Sequence, residues 1–345
     1  MKSNIIKQDI KEIQDEFDKD LQTLRGKNIL ITGGNGSIAS YLVDTFVDYD
    51  CNLTILNRNK VTNFSRLSHL LDNPKVKFLS QDVGKPFIPP QDTNIIIHAA
   101  SRSNPKSFLE NPLDTIDSNV NGTRTLLEHA KKNSYDLDNF LYFSSAEIYG
   151  NPVKEFVPTP EHYTGNIDCL HPMSCYMESK RFSEMLCSTF FRQHDIPTKM
   201  LRILLSYGPG MRDDGKVVSD FYTSAKNNQE IKIRDKGDAT RSFCYITDTT
   251  KGILKVMFDG KSGEAYNIGN DLEKVSILKL AEKVAGVVNN NTIVKPNLKA
   301  ISKPMYGEPT RDVNIDKLRA LEYKPKVSLE EGLRRLDKHI EEVGW

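Results

Sequence analysis

The run Asn28-Ile29-Leu30-Ile31-Thr32 stops against Gly33-Gly34-Asn35-Gly36, and a helical pattern follows over roughly Ser37–Val47. A buried strand that turns on glycines straight into a helix leaves main-chain amides open at the positive end of that helix. Gly33 permits the tight turn, and Gly36 lets the backbone approach a pyrophosphate. Ala39, small in place of a third glycine, lets helix and strand pack closely. In this strand–turn–helix setting the segment reads as a dinucleotide cradle, with Asn35, Ser37 and Ile38 beside Gly33 and Gly36 as candidate contacts.

The surrounding pattern fits that turn. Leu53–Leu56, Val76–Leu79, Ile95–His98 and Phe140–Ser144 are further strand candidates, with helical segments between several of them. Strands alternating with helices imply right-handed crossovers and a parallel sheet covered on both faces. A Pro-rich stretch, Asn151–Pro172, interrupts the rhythm before a helix that starts near Ser174. A strand at Lys199–Leu205 then leads into the turn Tyr207-Gly208-Pro209-Gly210. The expected architecture is α/β: a Rossmann-like doubly wound parallel sheet with a smaller C-terminal α/β substrate lobe. Residues 26–206, with about 243–270, would form the cofactor domain, and 207–242 with 271–345 the lobe. Residues 1–25 carry Ile6, Ile10, Ile13, Phe17, Leu21 and Leu24 at three- and four-residue steps. That is an amphipathic helix, packed on the main body or on a partner subunit.

Composition removes several function classes. With 47 basic and 46 acidic side chains among 345 residues, the formal charge is +1. A grip on nucleic acid needs clustered Lys and Arg, so no nucleic-acid partner is expected. No apolar run approaches the ~18–20 residues that span a bilayer, and no membrane partner is expected either. The five cysteines (Cys51, Cys169, Cys175, Cys187, Cys244) form no C-x-x-C pair. They read as buried reduced thiols of a cytoplasmic protein, with no metal site.

Two positions bear on the cofactor. After the second strand a carboxylate normally holds the adenosine ribose of NAD; here Asn57 stands there, followed by Arg58. Loss of the acid beside an arginine suits a 2′-phosphate, while Asn57 can still bond a ribose. NAD is the expected cofactor, with NADP left open. Asp82-Val83, just after the third strand, would cap the adenine or simply form an exposed turn.

Tyr176 and Lys180 are four apart on one helical face. An ammonium beside a phenol favours the phenolate and pulls a pKa of ~10 towards neutrality, which suits a general base for a sugar hydroxyl. Ser144-Ser145-Ala146-Glu147 ends the strand before them, where ligands bind in open α/β sheets. Glu147, directly after Ser145, is a candidate site carboxylate. Arg241, in the segment Arg241-Ser242-Phe243, offers a bidentate fork for phosphate or carboxylate. His98 reads as a core histidine, and Met177 and Met185 as core fillers.

With these motifs the chain resembles the extended short-chain dehydrogenase/reductases that modify nucleotide sugars, the NAD-dependent epimerase/dehydratase group. The resemblance runs from about Gly26 to Leu336. It rests on TGGNGSIAS, HAAS (His98–Ser101), NVNGT (Asn119–Thr123), SSAEIYG (Ser144–Gly150), YMESK, YGPGM (Tyr207–Met211), DDGKVVSDF (Asp213–Phe221), TRSFCYITD (Thr240–Asp248) and YNIGN (Tyr266–Asn270). Within the group the chain looks most like UDP-glucuronate decarboxylases. The resemblance implies a nucleotide-diphosphate-sugar substrate, a homodimer, and cofactor contacts from Ala99, Ala100, Ser101, Asn119, Tyr176 and Lys180. It makes Ser145, Tyr176 and Lys180 an oxidation triad, assigns Glu147 and Arg241 to the carboxylated ring, and places Val217, Val218 and Arg311 along the nucleotide diphosphate. Three positions depart from the pattern. Ala146 stands where these decarboxylases usually carry Ser, Leu205 where the family usually has a sugar-contacting Asn, and Asn57 where the ribose acid belongs.

The implied chemistry is transient oxidation at the sugar C4. Decarboxylation would follow, because a 4-keto group next to a C5 carboxylate makes a β-keto acid. C4 epimerisation and an NADPH-dependent 4-keto reduction begin from the same pocket and remain alternatives. A non-enzymatic dinucleotide sensor would not need Tyr176 and Lys180.

Overall fold

The computed structural model describes residues 2–63, 65–132, 136–213, 215–299 and 312–344. The N-terminal segment forms helix α1 (Asn4–Gln22), capped by Ser3, whose Oγ accepts from the Ile6 amide. Then come β1 (Asn28–Thr32), α2 (Ser37–Phe46), β2 (Asn52–Asn57), β3 (Val76–Ser80) and β4 (Ile95–His98). The short α3 (Pro105–Glu110) precedes the long α4 (Pro112–Lys132), β5 (Asn139–Ser145), α5 (Ser174–His194) and β6 (Thr198–Ile203). Each strand expected from the apolar runs is present to within two residues.

These strands, joined by β11 (Ala265–Ile268), form one seven-stranded sheet in the order β11-β6-β5-β4-β1-β2-β3. Every pairing in it is parallel. Because side chains alternate across a strand, the central strands read as unbroken apolar runs that serve two cores. Ile29, Ile31, Leu53, Ile55, Ile95, Ile97 and Leu141 point to one face, where they meet α1, α2 and α7 (Ile246–Asp259) through Phe17, Leu42 and Ile253. Leu30, Ile96, Phe140 and Tyr142 point to the other, against Leu126 and Leu127 of α4 and Leu186 and Phe190 of α5. This is a doubly wound Rossmann-like sheet.

Beyond β6 the chain builds smaller pieces: β7 (Ser206–Tyr207), α6 (Val217–Lys226), β8 (Ile231–Ile233), β9 (Thr240–Ser242) and β10 (Cys244–Tyr245). After β11 follow β12 (Lys274–Ser276), α8 (Ile277–Val288), β13 (Val294–Pro296), α9 (Asp316–Arg319) and α10 (Leu329–Val343). Three two-stranded sheets, β7 with β10, β8 with β13 and β9 with β12, sit beside packed α6 and α8. Their apolar side chains, among them Val218, Phe221, Leu280 and Val284, continue the core on the α1 face of the sheet.

Helix α1 belongs to this body. Its Ile10, Ile13, Phe17 and Leu21 are buried, and so is Asp9. The Asp9 carboxylate accepts from Tyr41 Oη and Tyr245 Oη, each at 2.8 Å, and from Arg335 Nη1 at 2.8 Å. Burial raises the Asp9 pKa, and those three donors pull it down. Ser3 Oγ also meets His339 Nδ1 of α10 at 2.7 Å.

Two expectations about burial are corrected. Met185 lies 46% exposed, because only one face of α5 meets the sheet. Cys51, Cys187 and Cys244 are buried, but Cys169 is exposed in the Pro-rich loop and Cys175 is half-buried. Among the described residues no cluster of His, Cys, Asp or Glu could hold a metal, and no helix is long and apolar enough to cross a membrane.

Candidate active site

Both halves of the site lie at the C-terminal edge of the sheet, where β1 and β4 end in register at Thr32 and His98 and β5, paired there through Tyr142, runs on to Ser145. Gly33 turns the chain at φ +69°, and a Cβ there would stand 2.7 Å from Ala100 Cα, so only glycine fits between β1 and the β4 loop. Gly36 caps α2 with no side chain bonded over it. The amides of that first turn are open to an anion.

Side chains brace the turn from below. Thr32 Oγ1 accepts the Ala100 amide at 3.2 Å and pairs with His98 Nδ1 at 2.7 Å. Burial lowers the His98 pKa to about 3, so this histidine is neutral at physiological pH. Asn57 Oδ1 accepts the Asn35 amide at 3.0 Å, and Arg66 Nη1 donates to the Asn35 carbonyl at 2.8 Å. Ser101 Oγ, Asn57 Nδ2 and Asn119 Oδ1 are buried with no hydrogen-bond partner among the described residues. Glycines only a bare backbone can occupy, an uncapped helix start and unpaired polar atoms together fit a bound dinucleotide. Ser37 and Ile38 open α2 half-buried, and Ala99 is half-buried beside Ala100.

Two further cofactor candidates follow β3. Asp82 Oδ1 accepts the Gly84 amide at 2.9 Å, so this carboxylate caps its own turn. Val83 is buried in the α4-side core against Gly122. Arg58 stays exposed.

At the other half, Ser145 ends β5 and its Oγ accepts the Glu147 amide at 3.2 Å. Tyr176, on the first turn of α5, is buried and stacks on Phe108 with centroids 5.1 Å apart. Helix α5 is clamped to α4 through Asn119, whose Nδ2 donates to Ser179 Oγ at 2.8 Å and whose carbonyl accepts Ser183 Oγ at 2.8 Å. Lys180 Nζ donates to the Phe143 carbonyl at 2.5 Å and stands 4.8 Å from the Tyr142 ring centroid.

This geometry corrects the expected acidification of the phenol. Burial lifts Tyr176 to about 12; the Ser145 hydroxyl pulls against that rise and the nearby Glu147 charge adds to it. The Lys180 amine donates to the β5 carbonyl of Phe143 and stands 5.9 Å from the Tyr176 ring centroid. Burial instead lowers Lys180 itself to about 7. In this structure the pair is a neutral phenol beside an amine near its titration midpoint.

The remaining candidates are spread more widely. Arg241 lies half-buried in β9, paired against β12, and its Nη1 donates to the Thr240 carbonyl at 2.7 Å. Val217 opens α6 half-buried, whereas Val218 is packed into the core. Arg311 lies outside the described residues. Leu205, just past β6, is 37% exposed. Sequence reasoning missed Arg66, which no local spacing marks. It also missed Arg202, whose guanidinium forks onto Glu184 of α5 (2.7–3.2 Å) and reaches Tyr149 Oη at 3.0 Å. That Arg202 opens the R-x-x-N-x-Y-G-P-like segment was the available signal.

A parallel sheet ending in a glycine cradle and a Ser–Tyr–Lys cluster defines a nicotinamide-dependent enzyme, and the chain belongs to the NAD dependent epimerase/dehydratase family, whose profile matches residues 29–269. It is an NAD-dependent enzyme that modifies nucleotide sugars. The chain is 34% identical over 312 residues to UDP-glucuronic acid decarboxylase 3 of Arabidopsis thaliana, covering 90% of this chain and 88% of the relative. Its fold is similar to that of the UDP-N-acetylglucosamine 4-epimerase of Methanobrevibacter ruminantium, solved with UDP-N-acetylmuramic acid. That likeness has a TM-score of 0.79 at 20% identity and covers 92% of this chain and 99% of the other. It is also similar to the Bordetella bronchiseptica enzyme WbmF in complex with NAD+ (TM-score 0.75, 22% identity, 93% of this chain and 94% of the other).

Proposed function

We propose that this chain decarboxylates UDP-glucuronate to the corresponding UDP-pentose, and the observation that carries the reading is that buried Tyr176 and Ser145 stand together at the end of the fifth strand with Glu147 directly after, its amide donating to Ser145 Oγ. The decarboxylase relative, matched over nine-tenths of this chain, supports the choice of substrate. When bound, nicotinamide supplies the acceptor, and later the donor, of one hydride at the sugar C4.

Tyr176 takes the proton of the C4 hydroxyl, with Ser145 holding the departing proton's oxygen in line. Its phenol is neutral in this structure, so the base form requires a cation facing that oxygen, and Lys180 is the amine on the same helical face. The 4-keto ring carries its C5 carboxylate β to the carbonyl. Carbon dioxide leaves with its bonding electrons passing into the C4 carbonyl as an enolate. Glu147 then controls the proton that C5 regains, and Arg241 and Arg311 hold the anionic carboxylate and diphosphate. Val217 lines the nucleotide, with Val218 holding its helix to the core. Leu205, apolar where the family usually carries Asn, removes one sugar hydrogen bond and shifts the ring's pose.

Helices α4 and α5 also leave Leu113, Ile116, Phe182 and Met185 exposed, and we read that apolar face as the seat of a second copy of the chain. The five unpaired cysteines support a cytoplasmic location.

The test is incubation with NAD and UDP-glucuronate, UDP-glucose or UDP-N-acetylglucosamine, followed by mass spectrometry. Loss of one carbon dioxide from UDP-glucuronate is the expected result. An unchanged mass with inverted C4 stereochemistry would replace decarboxylation with epimerisation, and net oxidation of NADPH supplied in place of NAD would replace it with reduction.

A further inference from the structure

The site that binds the dinucleotide has an adenosine end unlike that of an NAD-selective protein. In such a protein the residue ending the second strand is a carboxylate, which accepts both ribose hydroxyls and repels a 2′-phosphate. Here it is Asn57, and its amide has one chemically permitted orientation. The Asn35 amide is a donor, so the group facing it at 3.0 Å must be the Oδ1 acceptor. That leaves Nδ2, a pure donor, buried and without a partner. A buried donor left unpaired destabilises the fold, and an incoming acceptor relieves that cost.

The surroundings carry the same sign. Residues 51–71 include Arg58, Lys60, Arg66 and His69 and no Asp or Glu. Arg58 and Lys60 are exposed next to Asn57, and Arg66 donates into the glycine turn through the Asn35 carbonyl. The acid after β3, Asp82, is engaged with the Gly84 amide of its own turn. His69 is held by Asp44 at 2.8 Å.

We propose that Asn57 and Arg58 make the adenosine end of this cleft a donor surface, so that the protein binds NADP with an affinity within tenfold of NAD or tighter. The inference rests on the glycine turn's being the dinucleotide site and deepens that reading. Asn57 discriminates between the cofactors, and Arg58 supplies a cation to the 2′-phosphate.

Isothermal titration of the full chain with NAD+ and with NADP+ reads this without turnover. The expected ratio of Kd(NADP) to Kd(NAD) is below about ten, and a ratio of ten or more overturns the proposal. Asn57→Asp keeps the bond to the Asn35 amide and restores the acid, so it should move the ratio towards NAD by about tenfold or more; a smaller movement overturns the assignment of Asn57. Arg58→Ala, at an exposed position that folding tolerates, should weaken NADP about threefold or more and leave NAD unchanged. Equal effects on both cofactors would overturn the role of Arg58. If neither dinucleotide binds, the glycine-turn site itself is wrong, an outcome distinct from selective binding of NAD.

Discussion

The two halves of the sheet edge are held by different forces. At the glycine turn, position is set by steric fit and by hydrogen bonds to main-chain atoms: Ala100 against Gly33, Thr32 under Ala100, and Asn57 and Arg66 on Asn35. At the Ser145 end, position is set by two buried ionisable side chains whose proton balance departs far from that in water. The first half should fail when its shape changes and the second when its charge changes.

Tyr176→Phe separates the halves most sharply. Turnover should fall about 10³-fold while the Kd for NAD changes less than about threefold, since the phenol moves a proton and the ring alone fills the space. A fall below tenfold would remove Tyr176 from the chemistry. Gly33→Val is the reciprocal test. Its side chain meets Ala100 and its backbone must hold φ +69°, so NAD binding should weaken about 100-fold and the fold lose about 2–4 kcal/mol in denaturant titration. Unaltered binding would mean that the turn is not the cradle.

Asp9→Ala probes a buried charge remote from both halves. Removing the carboxylate strands the Tyr41 and Tyr245 hydroxyls, while Arg335 keeps Glu12 and Glu331, and should cost about 2 kcal/mol of unfolding free energy with little change in kcat.

Smaller effects belong to pH. Lys180 titrates at about 7 in the fold against 10.5 in an unfolded chain, so between those values the unfolded state binds more protons. Stability should therefore rise from pH 7 towards 10, and Lys180→Met should flatten that rise, leaving the share due to Lys199, which is lowered to about 8. On the acid side, burial holds His339 at about 4 against 6.5. Its contribution is complete above pH 6.5 and lost as pH falls towards 4. His339→Gln should reduce the loss of Tm across that window by a measurable fraction, with His98 and His129 among the groups that supply the remainder.

What was legible in the sequence follows the same division. Strands buried on both faces appear as short apolar runs, so Asn28–Thr32 and Ile95–His98 could be placed without any structure, and the Pro-rich stretch marked the start of α5 at Ser174. The glycine turn was legible because its constraint is steric and local. The state of Tyr176 was not. Spacing puts Lys180 on the same helical face, but the Phe143 carbonyl claims its amine, and that carbonyl comes from another strand. Arg66 on Asn35, Arg202 on Glu184 and the burial of Asp9 are likewise tertiary facts. In the sequence Asp9 looks like one more surface charge on an amphipathic helix.

The Asp9 junction also bears on the order in which the molecule can be finished. Its donors come from positions 41, 245 and 335, the last separated from Asp9 by 326 residues. During synthesis the first helix is therefore made with an unsatisfied anion amid its apolar stripe, and its final partner emerges only with the closing helix. Chains stopped before Arg335 should therefore hold that first helix less firmly, read as faster proteolysis within it than in the full chain.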